Sequence, residues 1–321
     1  MIDVEFEKSL EKLNIEFLKD KPLKDFTTFK IGGKARYIVF PKTIDELIET
    51  IKLANKSGVY WKVLGNFSNV LVSDRGFDGA IIITTKLDFF KIEENVIEAE
   101  CGCMISQVAR KACENGLKGL EFAVGIPGTV GGAVYMNAGA YDGEIKDVFE
   151  CAEVLDEKLN ILKLGKEDMR FSYRHSRLKE EKMILLRSTF RLQYAKEGDI
   201  PPLQKANEFN QRRREKQPLQ FPSAGSIFKR PAGYFAGKLI EDAGLKGYRI
   251  GNACISEKHA GFIVNLGGAS AEDVRKLIFH VQRTVYEKFG VLLEPEIEFI
   301  GEFETPFFEP ASEYSNIEYN Y

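Results

Sequence analysis

Strands and helices alternate along this chain, and that alternation predicts a layered α/β or α+β fold. Three observations support it. Short apolar runs of period two recur between stretches of period 3.6. Capping residues stand at the starts of several helical stretches. The 321 residues contain no internal repeat and are long enough for two or three domains.

The elements follow in order. Phe6, Leu10, Leu13 and Phe17 recur at helical spacing, so residues 3–19 read as an amphipathic helix. Residues 37–40 read as a strand. Thr43-Ile-Asp-Glu is a capping-box start for a helix to about residue 56. Strands at 59–64 and 80–84 complete a small β-α-β-rich unit. Residues 96–100 read as strand, and 105 to about 115 as helix with Ser106 as candidate cap. Past a glycine-rich segment, 148–155, 161–164 and 183–192 read as strands. The polar stretch 201–216 reads as a helix, and Pro218 and Pro222 behind it mark a boundary. The last part has its own order: a helix at 234–243, short strands at 253–256 and 263–266, and a long helix at 271–289. Ser270 caps that long helix, with Asp273 in its first turn. A strand at 291–300 is interrupted by Pro295. Beyond Glu302 the tail is rich in Glu, Tyr, Pro and Ser with little periodicity, and loose packing is expected of it.

Composition excludes several classes. With 44% hydrophobic and 29% charged residues the chain can build a core, so wholesale disorder is not expected. A net charge of −3 carries no nucleic-acid footprint. The run Arg212-Arg213-Arg214 reads as a solvated helix face rather than a phosphate site. No apolar stretch approaches the roughly 18 residues that span a bilayer. The N-terminus lacks a signal-peptide pattern. Five irregularly spaced cysteines argue against a disulfide framework and for reduced thiols in a cytoplasm. No metal site is expected: Cys101 and Cys103 have no partner pair at zinc spacing, and His175, His259 and His280 are scattered. Core or surface roles suit these histidines, His175 standing apart because of its neighbours.

The densest signal is Glu121-Phe-Ala-Val-Gly-Ile-Pro-Gly-Thr-Val-Gly-Gly-Ala-Val-Tyr-Met-Asn-Ala-Gly-Ala140. Its five glycines and one proline lie among apolar residues, so its backbone is buried and its amides need partners. A bound anion would supply them through a nest of consecutive amides. A tight internal turn is the alternative. A second loop, Leu64-Gly-Asn-Phe-Ser-Asn-Val-Leu-Val-Ser-Asp74, follows a strand, where α/β proteins place ligands. Alone it is equally an ordinary turn; two such loops in adjacent domains favour a bipartite dinucleotide site. No G-x-G-x-x-G is present. Phe171-Ser-Tyr-Arg-His-Ser176 offers Arg174 for bidentate carboxylate binding, though such an arginine is more often simply exposed. Ser226 follows Ala-Gly at a tight turn, where serine is usually structural, and no nucleophile elbow surrounds it. Glu294, Glu296 and Glu298 would share one strand face around Pro295, an exposed edge on these residues alone.

Taken together these segments resemble the UDP-N-acetylenolpyruvoylglucosamine reductase family. Its motifs stand here in order: Thr28-Phe-Lys-Ile-Gly-Gly, Gly65-Asn-Phe-Ser-Asn-Val-Leu, Gly125-Ile-Pro-Gly-Thr-Val-Gly-Gly-Ala, Asn137-Ala-Gly-Ala, Tyr173-Arg174, Ala224-Gly-Ser226 and Leu293-Glu-Pro-Glu296. The resemblance implies an α+β architecture: a two-domain FAD-binding fold of the vanillyl-alcohol-oxidase-like type plus a third α+β substrate-binding domain. The corresponding boundaries are 1–84, 85–216 and 217–302, with a tail at 303–321 that has no counterpart. It implies FAD as cofactor and NADPH as co-substrate. The substrate would be a sugar nucleotide, with peptidoglycan synthesis as the process and a monomer in the cytoplasm as the form. No nucleic acid and no membrane insertion are expected.

Cofactor contacts fall to Gly65, Asn66, Ser68 and Asn69 in one loop and to Gly125, Pro127, Gly128, Thr129, Gly131 and Gly132 in the other. Asn137, Ala138 and Gly139 complete them. Tyr173, Arg174 and Lys229 would bind substrate. Ser226 resembles the proton donor, with Arg174 and Glu296 as its partners. The short segment between Arg174 and Ser226 matches the subtype that lacks an extra substrate-capping loop. Hydride added at the substrate methylene leaves charge on the adjacent carbon and its carboxylate, where Arg174 would stabilise it. Glu296 would help if protonated, or by orienting a donor. Lys229 would be the cation that makes the Ser226 hydroxyl a better acid. A flavin oxidase on the same fold, or a flavin-binding module without catalysis, are the other classes these residues allow.

Overall fold

Thr43 begins the helix Ile44–Lys56 as its sequence requires, its side chain accepting a hydrogen bond from Glu46 N at 3.1 Å. The reciprocal bond goes one residue further back, from Lys42 N to the Glu46 carboxylate. This helix packs beside Ile2–Lys12 over a four-stranded sheet in a computed structural model that describes residues 2–310. The strand order is Glu16–Pro22, Lys34–Phe40, Phe77–Ile83, Trp61–Leu64, antiparallel at the first pairing and parallel thereafter. Alternation is visible in Lys34–Phe40: Tyr37 and Val39 join the core under the two helices, while Ile38 and Phe40 join a second cluster on the other face.

A five-stranded antiparallel sheet follows, in the order Ile161–Gly165, Phe149–Leu155, Ile184–Arg191, Val96–Glu100, Phe90–Glu93. Its apolar residues are continuous with the first core through the helix Ile105–Glu114. A third sheet is antiparallel, in the order Ser223–Ser226, Phe262–Asn265, Ala253–Ile255, Arg249–Ile250. The helices Ala236–Asp242 and Ala271–Phe289 share a core with this sheet that also takes in Phe29, Ile31 and Leu71 from the start of the chain. The last strand, Glu298–Ile300, returns to pair in parallel with Val70–Val72. Among the described residues no helix is long and apolar enough to cross a membrane.

Four expectations need correction. The first helix stops at Lys12, and Phe17 lies in a strand opposite Val39. Asn14 takes the left-handed region, φ 55°, which ends the helix and turns the chain onto the sheet edge. Ser106 is inside its helix; Met104 is the N-cap and makes no side-chain cap bond. The Ile105 amide donates instead to Gly128 O at 3.1 Å, so the glycine-rich segment itself caps this helix. Residues 291–297 form no strand. Pro295 has no N–H, and this stretch touches the 227–229 turn through Lys229 N to Glu294 O and Glu296 N to Ile227 O.

The tail, finally, is anchored at Thr305 although half of residues 303–310 are exposed, and 311–321 lie outside the described residues. Thr305 is buried. Its carbonyl accepts from the Arg275 guanidinium, and its amide and hydroxyl donate to Glu272. Arg275 is 2% exposed, with Phe299, Phe303 and Phe307 around its guanidinium at 3.9 to 5.9 Å. Burial pushes it down to about 10, so it is still cationic at neutral pH.

Candidate active site

The two loops singled out in the sequence meet. Asn66 Nδ2 donates to Pro127 O at 2.7 Å, and a Cβ on Gly65 would stand 2.2 Å from Thr129 Oγ1. Only glycine permits that approach. Gly125 is crowded likewise: a Cβ there would lie 2.9 Å from Arg213 Cδ. Thr129 caps the short helix Val130–Tyr135 by accepting from Gly132 N. The amides of Val130 and Gly131 donate to Cys103 O and Cys101 O. A nest of consecutive amides at 130–132 is therefore not what the segment offers. Within the two loops, the amides with no acceptor among the described residues are those of Gly128 and Thr129 on one side and of Gly65 to Asn69 on the other. The anion-binding capacity is thus shared between the loops, as a bipartite site requires.

Both loops line one cavity of about 2010 Å³, larger than the roughly 300–1,000 Å³ of a single-ligand pocket. All the expected cofactor contacts lie on its wall except Asn137. Asn137 is fully buried at φ 41°, and its side chain bonds Glu144, Ser172 O and Lys146 N. It holds the turn at the end of the cradle. Asn69 lines the cavity but spends its amide on Glu296 O, at 3.2 Å. Gly65→Ala is expected to push Thr129 away and weaken FAD binding, by roughly 1–3 kcal/mol if the clash behaves as ordinary overpacking. Flavin fluorescence titration measures this; an unchanged dissociation constant would mean that the contact between the loops does not shape the cofactor site.

Arg174, Ser226 and Glu296 lie on the wall of the same cavity. Arg174 sits at φ 57° in a tight turn closed by Ser172 and His175, a strained conformation for a side chain of its size. Its Nε donates to Glu296 Oε1 at 2.7 Å and its Nη2 to Gly139 O at 3.1 Å. The two side chains are 17% and 15% exposed. Of the two roles open to Glu296, this geometry supports orienting a donor. Ser226 ends its strand after Gly225, φ 80°, and Oγ donates a long bond to Phe228 O, 3.3 Å. Thr28 Oγ1 anchors that strand from the other end of the chain through Ser223 O, 2.8 Å.

Two sequence assignments fare differently. Tyr173 stands beside the trio, its ring 4.9 Å from the Arg174 guanidinium and its hydroxyl accepting from Arg230 N, but it is not on the cavity wall. Lys229 is not among the residues on the cavity wall; its ammonium pairs with Glu294, which the bonds at 294 and 296 hold beside it. Of the three glutamates, Glu296 and Glu298 line the cavity, paired with Arg174 and Lys179, while Glu294 pairs with Lys229 and is not on that wall.

His259 lines the same cavity and, like Ser226, flanks Gly261. A Cβ on Gly261 would lie 3.5 Å from Ser226 Oγ and 3.0 Å from His259 Cε1. His259 Nδ1 accepts from Gly261 N at 3.1 Å, which assigns the ring proton to Nε2. Burial lowers its pKa, so the ring is neutral at pH 7. Sequence reasoning placed His259 in a core or surface role, because only the pairing of Ser226 with Phe262 brings it here. Arg213 was read as solvated, yet it lines the cavity against Gly125, and burial lowers its pKa. Phe209, one helical turn before it, was the one apolar neighbour that could have signalled this. Tyr135 and Lys179 also line the cavity and carried none.

Comparison with known proteins adds the following. The family profile for the C-terminal domain of UDP-N-acetylenolpyruvoylglucosamine reductase matches residues 217–300, and the profile of an FAD binding domain matches 35–165. The chain is 84% identical over 309 residues to the UDP-N-acetylenolpyruvoylglucosamine reductase of Caldicellulosiruptor saccharolyticus, 96% of this chain and 100% of that protein. It is 51% identical over 283 residues to the reductase of the same name from Caldanaerobacter subterraneus, 88% of this chain and 93% of that one. The crystal structure of the Thermus caldophilus reductase superposes with a TM-score of 0.74 at 34% identity, over 89% of this chain and 99% of that one.

Proposed function

The chain belongs to the UDP-N-acetylenolpyruvoylglucosamine reductase family, and from that premise we propose how its own residues divide the work. The reaction is the NADPH-dependent, FAD-mediated reduction of the enolpyruvyl group of UDP-N-acetylglucosamine enolpyruvate to UDP-N-acetylmuramate, a step of peptidoglycan precursor synthesis. FAD, once held there, would supply the hydride-transfer chemistry that links NADPH to the substrate methylene. The cradle suits it: unspent amides on two facing loops, glycines at the close approach and room for a second ligand. The loops at 65–69 and 125–132 hold the cofactor between residues 1–84 and 85–216, and residues 217–302 bring Ser226 and Glu296 to the substrate chemistry that Arg174 shares.

Arg174 binds the substrate carboxylate through the donors that Glu296 and Gly139 leave free. It stabilises the charge that builds on that carboxylate after hydride addition. Glu296 fixes the guanidinium fork. Ser226 then gives its proton to the adjacent carbon. His259, neutral and protonated at Nε2, lines the same cavity. The observation that carries these roles is the meeting of residues 174, 226 and 296 on one cavity wall with the cradle. Soluble monomers in the cytoplasm complete the proposal.

An anaerobic titration of the FAD-loaded protein tests it. NADPH should bleach the flavin, and the enolpyruvyl sugar nucleotide should restore the colour in equal amount. Rapid reoxidation by oxygen with none by the sugar nucleotide would instead identify a flavin oxidase.

A further inference from the structure

The cavity wall carries a second ion pair to which the reaction above gives no role. Lys179 Nζ lies 2.5 Å from Glu298 Oε1, each side chain 30% exposed, and 5.9 Å from the centre of the Tyr135 ring. All three residues line the cavity. Tyr135 ends the helix Val130–Tyr135, which starts in the cradle. Lys179 is on the short helix Arg177–Glu180 that follows the Arg174 turn, and Glu298 opens the strand just after Glu296. Burial, reinforced by Glu298, raises the Tyr135 phenol to about 12, so it adds no charge of its own at neutral pH.

Placement decides what the pair faces. Tyr135 is some 5–10 Å along its helix from the cradle, at roughly 1.5 Å per residue. Glu298 is roughly 7 Å along an extended chain from Glu296. The pair therefore shares one cavity wall with the cradle and with the catalytic trio. A flavin held by the cradle and delivering hydride beside Ser226 would lie in this cavity, along the wall that carries the pair. We propose that Lys179 and Glu298 are opposed charges that set the reduction potential of the bound flavin, Lys179 favouring the reduced form and Glu298 the oxidised form. This rests on the cofactor placement given above.

Hydride transfer from NADPH brings two electrons and one proton to a neutral ring and releases NADP⁺. The ring gains one negative charge unless a second proton follows. A neighbouring cation stabilises that charge and a carboxylate opposes it. Held against each other, the two leave a small net field. Removing either member exposes the other, so the two substitutions must act with opposite sign. A bridge that served only to hold the wall together would move the potential in one direction, whichever end was cut.

The test is the midpoint potential of the FAD-loaded protein, measured by equilibration with a dye of known potential. Lys179→Met should lower the equilibrium constant for reduction about tenfold and Glu298→Gln should raise it about tenfold, each about 30 mV for a two-electron couple. The double variant should return near the wild-type value, and Lys179→Arg should stay there. If Lys179→Met does not fold, Lys179→Gln must give the same sign. Shifts in one direction, or both variants within threefold of wild type, overturn the inference while leaving the cofactor site intact. Failure of the wild-type protein to bind FAD would overturn the placement itself.

Discussion

Ser226→Ala is expected to bind FAD and to be bleached by NADPH as the wild type is, while reoxidation by the enolpyruvyl substrate slows by roughly a hundredfold to ten-thousandfold, the usual weight of a general acid. The separation follows from where the hydroxyl acts. Reduction of the flavin needs no proton placed on a substrate carbon, so that half of the cycle should not depend on Ser226. The second half ends with a carbon that must be protonated, and Ser226 offers its O–H on the cavity wall. The substitution should be structurally mild. Ser226 Oγ makes one long bond, 3.3 Å to Phe228 O, and the strand keeps its pairing with Phe262. Its loss should cost about 1 kcal/mol of stability. Stopped-flow absorbance of the flavin resolves the two halves. Reoxidation at the normal rate would remove Ser226 as donor; equal slowing of both halves would place its effect on the cofactor.

That prediction leans on proximity invisible to a local reading of the chain. The helix Ala271–Phe289 was legible to the residue, because Ser270 and Asp273 form both bonds of a capping box and Gly290 stops it at φ 67°. These are interactions among neighbours in sequence. Phe17 misled because it stands four residues after Leu13 and so satisfies the helical period, while its strand partner Val39 is remote. The cradle was legible as a segment, since buried glycines announce a close approach. Which of its amides remain unspent was not: Cys101 O and Cys103 O take two of them from the neighbouring strand end. Lys229 looked like the cation for Ser226 from their spacing. Its ammonium pairs with Glu294 at a turn against residues 294–296. His259 and Lys179 reach the cavity only through sheet register and a short helix, and neither leaves a local pattern. The tail gave a composition of loose chain, yet Arg275 needs the carbonyl of Thr305 and the rings of Phe303 and Phe307 to satisfy a buried cation.

Arg174→Met should cost more than Ser226→Ala in the folded state and as much in the reaction. Glu296 would be left 15% exposed with no cation beside it, and Gly139 O would lose its donor. Removing one partner of a buried pair costs roughly 3–5 kcal/mol, less here because both side chains keep some water. Losing the donor to the developing carboxylate charge should slow reoxidation by roughly a hundredfold to a thousandfold. Stability and catalysis can be told apart with a second substitution. Glu296→Gln in the Arg174→Met background removes the stranded charge, so thermal stability should recover in part while reoxidation stays slow. Full recovery of reoxidation would show that Arg174 serves only to neutralise Glu296. Arg174→Lys should not rescue either property. A single ammonium cannot reach Glu296 and Gly139 O and still present the planar fork that a carboxylate accepts. Glu296→Gln alone tests the remaining partner: the amide oxygen can still accept from Arg174 Nε, so the protein should fold normally. The guanidinium then carries its charge uncompensated and less firmly oriented, and turnover should fall while substrate binds no more weakly. Unchanged turnover in that variant would confine Glu296 to structure.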